Sequence, residues 1–397
     1  MPTSLYLTAE QAAEALGVSI SSLYAYVGRK HIRSQSVPGK RTRLYWREDI
    51  ENIANGKSED RVVKWDSILV PETKITLITE NGHFYRGQSA IALSETATLE
   101  EVAGVLWQQD PALIFPAATS KVPKGFKQAR NALSALSALD QAGSLFPILE
   151  AANPKSYDMS PLGYARTGGE LLRWFASMVV HADRPSIEPI HAVLAKGLSA
   201  PAGYDDMIRR LLVLLADHEL TAPTYAVRAV ANTGSTPYQA VAAGLVAHRG
   251  QRMLEGRAPR IRRLLAEVLS EPDPGSPVLE RYRAGEAIPG FSHPIYKGGD
   301  VRARALLNVM QDRFRKDAAV ARLSEAIKVA REGIGVEPDL ALISYFIEQK
   351  LKYPVNGAST GVVGRVVGWI AHAMEQMESG PMVRPRTAYT GVLPSGG

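Results

Sequence analysis

Apolar residues recur at helical spacing over most of the chain. The runs Leu99–Trp107, Ala132–Leu139, Met207–Leu215, Tyr238–Ala247 and Val362–Met374 place them every three or four residues, the period of an amphipathic helix. Gly, Pro and Asn separate these runs. A different period appears earlier. Ile75–Thr79 alternates, Asn81-Gly82 supplies a tight turn, and His83–Tyr85 resumes the alternation. That pattern predicts a β-hairpin. The chain therefore reads as a compact segment to about Asn55, a polar linker (NGKSEDR), a β-rich patch, and a mostly helical remainder from about Thr98. The tail LPSGG is expected to fray.

The first segment has its own logic. Thr8 with Gln11 three residues on predicts a capping box opening a helix, and Gly17 ends it. Ser19 starts a second helix that runs to near Gly28. Two short helices joined by a tight glycine turn make a helix-turn-helix. The stretch SQSVPGKRTRLYW then predicts a hairpin with Pro38-Gly39 at its tip. Ser21, Ser22 and Tyr24, with Tyr26, would face a groove, while Arg29, Lys40, Arg41 and Arg43 would meet phosphates. Residues 1–57 resemble the excisionase and MerR-type winged helix-turn-helix, which implies DNA as a partner. A docking or dimerisation module of the same fold is the alternative.

Composition narrows the rest. At 397 residues, 45% hydrophobic and 22% charged, the chain has the balance of a soluble globular protein of two or three domains. It has no cysteine, which excludes disulfides, thiolate nucleophiles and Cys-based metal sites and suits the cytoplasm. No metal site is expected. The start MPTSLYLTAEQAAEALG lacks a basic-then-apolar leader. No apolar run reaches the roughly 18 residues of a spanning helix, so no membrane partner is expected. The net charge of +6 favours anionic partners. Basic residues concentrate in Arg29–Arg47 and again in Arg249–Arg263.

The segment Pro289–Arg302, PGFSHPIYKGGDVR, is the richest in chemistry. Gly290, Pro294, Gly298 and Gly299 prevent a regular helix. His293 and Arg302 in one loop can hold a carboxylate and move a proton beside it.

Four motifs in order carry a family resemblance: FYRGQSAIALSETATLEEVAGVLW at Phe84–Trp107, ADHELTAPTYA at Ala216–Ala226, the loop Pro289–Arg302, and GRVVGWIAHAMEQMESGPMVRPR at Gly364–Arg386. Together they resemble the citrate synthase family, over residues 65–391, in the subgroup with an N-terminal helix-turn-helix. The resemblance implies a mainly α-helical, two-lobed fold with a small lobe at roughly 240–330, and an obligate dimer. It implies condensation of acetyl-CoA or a related acyl-CoA with oxaloacetate, then hydrolysis of citryl-CoA, with no cofactor beyond the coenzyme A thioester.

By the same resemblance, Asp339 in VEPDLALIS is the base that removes a proton from the acetyl methyl, and His293 protonates the oxaloacetate carbonyl. In this chain Glu337-Pro338 precede Asp339 where the family has Asn-Val. A plain helix cap is the other reading of Asp339. Arg302 and Arg365 hold carboxylates, as suits guanidinium forks. Arg384 does so across a dimer interface, His218 hydrogen-bonds substrate, and Lys297 meets a coenzyme A phosphate. Val301 replaces the family's usual proline.

One departure is large. The family carries a second histidine in a KGPxHGGA turn, where it donates to the thioester oxygen. Here LVAHRGQRMLEGRAPR puts Met253 in that place, and methionine has no donor. Three readings stay open. His248 or Arg252 substitutes after a local shift; or the chain is a slow or different acyl-CoA enzyme; or it is a non-catalytic paralogue. Such a paralogue would sense coenzyme A or citrate on DNA, or complete a heteromeric citrate synthase.

Overall fold

The computed structural model describes residues 6–29, 32, 34–36, 42–54, 72–80, 82–353 and 360–378. The chain divides into two compact units, one built on the first 71 residues and one within 72–383.

The first unit runs β1 (Tyr6–Leu7), α1 (Ala9–Leu16), α2 (Ile20–Arg29), β2 (Ser34–Ser36), β3 (Arg43–Trp46) and α3 (Arg47–Ala54). The Thr8 hydroxyl accepts from the Gln11 amide at 3.3 Å, and the Gln11 side chain accepts from the Thr8 amide at 3.0 Å. This is the expected capping box. Gly17, at φ 65°, ends α1, a left-handed position that costs glycine little. β3 pairs antiparallel with both β1 and β2. Leu7, Ala12, Ala13, Leu23, Tyr45 and Ile50 fill the core. β1 and α3 were not expected. A two-residue strand shows no period, and α3 carries a thin apolar face. The tip at Pro38-Gly39, with Lys40 and Arg41, lies outside the described residues.

The second unit opens with β4 (Thr76–Thr79), β5 (Gly82–Tyr85) and β6 (Gln88–Ser89). The hairpin register pairs Thr79 with Gly82, as the alternation predicts; β6 extends it to three strands. Then follow α4 (Ala90–Thr96), α5 (Leu99–Trp107), α6 (Pro111–Ile114), α7 (Phe126–Ala132), α8 (Ala138–Ala152), α9 (Pro161–Val179), α10 (Ile190–Gly197) and α11 (Tyr204–Leu215). The remainder is α12 (Ala222–Ala231), α13 (Pro237–His248), α14 (Leu254–Ser270), α15 (Ser276–Arg283), α16 (Val301–Arg313), α17 (Ala318–Val329), α18 (Leu340–Glu348) and α19 (Thr360–Glu378). The single helix expected over Ala132–Leu139 is two helices. α7 ends at Ala132, and Ser137 caps α8 by accepting from the Asp140 amide. A serine that satisfies an orphan amide starts a new helix more readily than it continues an old one.

Two apolar cores form. α11 is shared between them: Ile208, Leu212 and Val213 enter the first, while Met207, Leu211, Leu214 and Leu215 enter the second. The second core takes its other members from α14 through α18. α13, which spans the start of the small lobe expected at roughly 240–330, packs Tyr238, Val241 and Leu245 into the first core. The second core is thus built by part of α11 and by α14 through α18.

α19 crosses the first core as a buried helix and approaches the end of α11 closely. A Cβ on Gly368 would sit 2.3 Å from Asp217 Oδ1 and 2.4 Å from the Ala216 carbonyl. The Gly368 amide donates to that carbonyl at 2.9 Å. No described helix is long and apolar enough to cross a membrane.

Candidate active site

A cleft of about 210 Å³ lies between the two cores. On the small-lobe side it is built by two loops. One holds His293, after the left-handed Gly290 (φ 81°) and Ser292 (φ 61°). The other leads through Pro338 into Asp339, the N-cap of α18. The loops are tied together: the Ser292 amide donates to the Glu337 carbonyl at 3.0 Å, and the Asp339 amide donates to the Gly290 carbonyl at 2.8 Å. A non-glycine residue at positive φ is uncommon, and here the paired loops hold it in place. A side chain at 290 would meet Leu342 Cβ at 2.9 Å.

Asp339 is buried. Its Oδ1 accepts from the Leu342 amide at 3.1 Å, and its Oδ2 faces Arg257 Nη2 at 3.4 Å. The carboxylate is thus both a helix cap and a cleft residue; the two readings of this position are not exclusive. Arg302, at the start of α16, is buried and locked in a fork with Asp300: Nε to Oδ1 at 3.0 Å and Nη2 to Oδ2 at 2.8 Å. Asp300 Oδ2 also accepts from the Leu340 amide at 3.1 Å. The arginine, the His293 loop and the start of α18 therefore share one carboxylate.

On the large-lobe side stand His218, His248, Arg365 and Trp369. His218 follows α11, and its neighbour Glu219 takes φ 52°. Its ring lies 5.3 Å from that of His293, edge to face. Arg365 projects from the first turns of α19, and its Nη1 is shielded from solvent with no hydrogen-bond partner among the described residues. Burial lowers its pKa, although Asp217 opposes the shift. An unpaired buried guanidinium nitrogen is costly unless a ligand supplies the acceptor. Behind this face, Asp217 Oδ2 receives His372 Nε2 at 3.2 Å and the Glu219 amide at 2.9 Å.

The cleft imidazoles of His293, His248 and His218 are neutral near pH 7. Burial, then Arg302, lowers the pKa of His293. Its Nδ1 accepts from the Ile295 amide at 3.2 Å, so the ring proton sits on Nε2 and is available for donation. Burial, then Arg365, pushes His248 down to about 4; it ends α13 with its ring edge-on to Trp369. Burial, then Arg302, holds His218 well below its ordinary value.

His293, Asp339, His218, Arg302, Arg365, His248 and Arg252 all line the one cleft. Met253 lines it too, as the N-cap of α14, and makes no capping bond. Lys297 is exposed and is not among the cleft residues. Arg384 lies outside the described residues. Sequence reasoning missed Arg257, Asp300, Tyr296 and His83. Arg257 stands four residues after Met253, one turn into α14. That spacing, within the basic stretch, was the available signal.

A helical two-core fold with histidines, a carboxylate and arginines around one small cleft is the architecture of an enzyme family that handles small oxoacids. The sequence profile described as "Citrate synthase, C-terminal domain" matches residues 65–386, and the chain belongs to the citrate synthase family. The 2-methylcitrate synthase of Shewanella oneidensis is 25% identical over 349 residues, covering 80% of this chain and 91% of that protein. 2-methylcitrate synthase 1 of Corynebacterium glutamicum is 30% identical over 190 residues; that match spans 46% of this chain and about half, 49%, of the relative. Among solved structures, the citrate synthase of Thermoplasma acidophilum, in ternary complex with carboxymethyl coenzyme A and oxaloacetate, superposes with a TM-score of 0.66 at 19% identity. It covers 84% of this chain and 97% of that one. The citrate synthase of Pyrobaculum aerophilum gives a TM-score of 0.67 at 19% identity, covering 91% and 96%. These structures share the mainly helical fold. Citrate synthases use no cofactor beyond their coenzyme A substrate.

Proposed function

We propose that this chain condenses acetyl-CoA, or a related acyl-CoA, with oxaloacetate and hydrolyses the thioester formed. The observation that carries the reading is the tied pair of loops, which sets His293 and Asp339 on one side of the cleft opposite the unpaired Nη1 of Arg365. Arg365 and Arg302 receive the oxoacid carboxylates. His293, neutral with Nε2–H, donates to the keto oxygen as it becomes an alkoxide. Asp339 takes the proton from the acyl α-carbon; Arg257 beside it must swing aside to free Oδ2, and its half-exposed side chain has room to do so. His248 takes the place of the absent histidine, offering a neutral ring donor to the thioester oxygen, where a preorganised donor is worth ~10²–10³ in rate.

The test is thiol release from acetyl-CoA and oxaloacetate by the full chain and by Asp339→Ala. Release that falls at least about 10²-fold in the variant supports the mechanism; equal release in both removes Asp339 as base.

A second reading keeps the ligand site and drops turnover. It is favoured by Met253 in the cleft and by the Arg257–Asp339 contact. Such a chain is a regulatory subunit, or a citrate- or coenzyme A-responsive DNA-binding protein. Binding of oxaloacetate with no thiol release selects it.

Two assembly features go with either reading. In the N-terminal unit, Ser21, Tyr24 and Arg43 are exposed on α2 and β3, the arrangement of a winged helix-turn-helix that meets DNA. Arg29, Lys40 and Arg41 belong to the same basic set. In the second unit, α13 packs beside both α8 and α12. Their exposed residues are Ser144, Pro147, Ala151, Ala152, Ala222, Tyr225, Ala229, Gln239 and Val246, and none is charged. This surface of small residues, with the part-exposed Glu150 held by Gln239 at 2.9 Å, suits a second copy or a family paralogue, which would bring in Arg384. The chain works in the cytoplasm.

A further inference from the structure

Three rings and one hydroxyl form a chain that ends at the cleft. His83, on β5, is buried: its Nε2 lies 3.0 Å from the Asp217 carbonyl, and its Nδ1 lies 2.9 Å from the Tyr296 hydroxyl. That hydroxyl is also 3.4 Å from His218 Nε2. His83 and His218 stack at 5.6 Å, and Arg302 lies over the Tyr296 ring at 5.2 Å.

The direction of every bond follows from one end. A backbone carbonyl only accepts, so His83 Nε2 must carry hydrogen. Burial, then Arg302, holds His83 neutral, with a pKa of about 3, so its Nδ1 is bare and accepts. Tyr296 therefore donates its hydroxyl proton to His83. The tyrosine oxygen is left with only lone pairs for His218, so His218 Nε2 must donate. A neutral imidazole has one hydrogen, and His218 has now used it. Among the described residues its Nδ1 has no hydrogen-bond partner, and the residue lines the cleft.

We propose that His83 and Tyr296 are positioning residues that fix His218 with its proton on Nε2, so that Nδ1 meets the ligand as a hydrogen-bond acceptor. His293 and His218 then differ in kind: His293 faces the cleft as a donor, His218 as a lone pair. A carboxylate cannot rest against a lone pair. A dicarboxylate bound there brings a proton to His218. The groups facing this ring are His83 from β5, His293 and Tyr296 from the loop, Arg302 from α16 and Arg365 from α19, with Asp217 and Glu219 beside it in sequence. The two arginines oppose a charge on His218 in the empty cleft. A bound dianion neutralises them and removes that opposition, so ligand binding and protonation favour each other.

This deepens the oxoacid reading of the cleft, and the tests separate the two. Two-bond proton–nitrogen correlation on protein labelled with [¹⁵N]histidine, without ligand at pH 7.5, reads each ring's tautomer. The His218 signal is assigned by its loss in His218→Gln. The Nε2–H form is expected in the wild type, with a mixture of both forms in Tyr296→Phe. The Nδ1–H form in the wild type overturns the proposal, whether or not the variant folds. Calorimetry of oxaloacetate binding in two buffers of different ionisation enthalpy supplies the second reading. Uptake of close to one proton is expected in the wild type and close to none in Tyr296→Phe, where His218 is free to move its hydrogen to Nδ1. No uptake in the wild type, or equal uptake in both, overturns the proposal. Failure of oxaloacetate to bind at all counts against the oxoacid reading instead, and the tautomer still decides this one.

Discussion

At the scale of single residues, position 253 is the sharpest test. Met253 sits at the N-cap of α14, in the cleft, and donates nothing. Met253→His places a donor there, and thiol release should rise toward ~10²-fold if a missing donor limits the rate. His248→Ala should lower release by a similar factor, and steady-state kinetics of both variants decides which histidine position counts. Burial also writes a pH dependence into the fold. His83 and His248 hold pKa values of about 3 and about 4, against ~6.5 in an unfolded chain. The unfolded chain thus binds more protons between these limits. Their contribution is fully present above pH ~6.5 and is lost as pH falls toward 3 to 4, by an amount on the order of a few kcal/mol for His83. Urea midpoints at pH 7 and pH 5 should show a smaller drop for His83→Leu than for the wild type. Most of the cleft was legible at this scale: His293, Asp339, Arg302, Arg365 and His218 sit in recognisable motifs. Arg257, Asp300, Tyr296 and His83 were not, because their roles depend on contacts made across the fold. His83, for example, meets Tyr296 across a sequence separation of 213.

At the scale of elements, periodicity located the long helices and missed the joints. α11, α13 and α19 fall where the apolar spacing puts them, since each buries a broad face. The break between α7 and α8 was invisible to periodicity, because the apolar spacing continues through it and a single serine cap decides it. The two-residue β1 and β6 are fixed by their neighbours alone. The same joints set the tolerances. Gly368 on α19 has no room for a methyl group against Asp217 and Ala216. Gly368→Ala should cost about 1–3 kcal/mol by overpacking, read as a lower urea midpoint with an unchanged slope. It should also disturb the Asp217–His372 pair behind the cleft.

At the scale of the whole molecule, the predictions concern association. Val246, 72% exposed, lies on α13, which packs beside α8 and α12. If this face joins two copies as proposed, Val246→Asp should convert dimer to monomer in sedimentation and, if the partner supplies Arg384, weaken oxaloacetate binding. If the N-terminal unit grips DNA phosphates, affinity of the full chain should fall steeply as salt is raised; a flat response excludes phosphate contact. The two-core plan was legible through family motifs, whereas the placement of α13 was not, because its apolar face suits either core. The stitched loops have a mechanical corollary. Since backbone bonds join the His293 strand to the Asp339 strand, the two side chains travel as one jaw. Any hinge motion between the two cores would leave the spacing of His293 and Asp339 unchanged and alter only their reach to His218, His248 and Arg365. If the cleft closes on a ligand, this pair arrives as an already assembled tool brought down onto its workpiece.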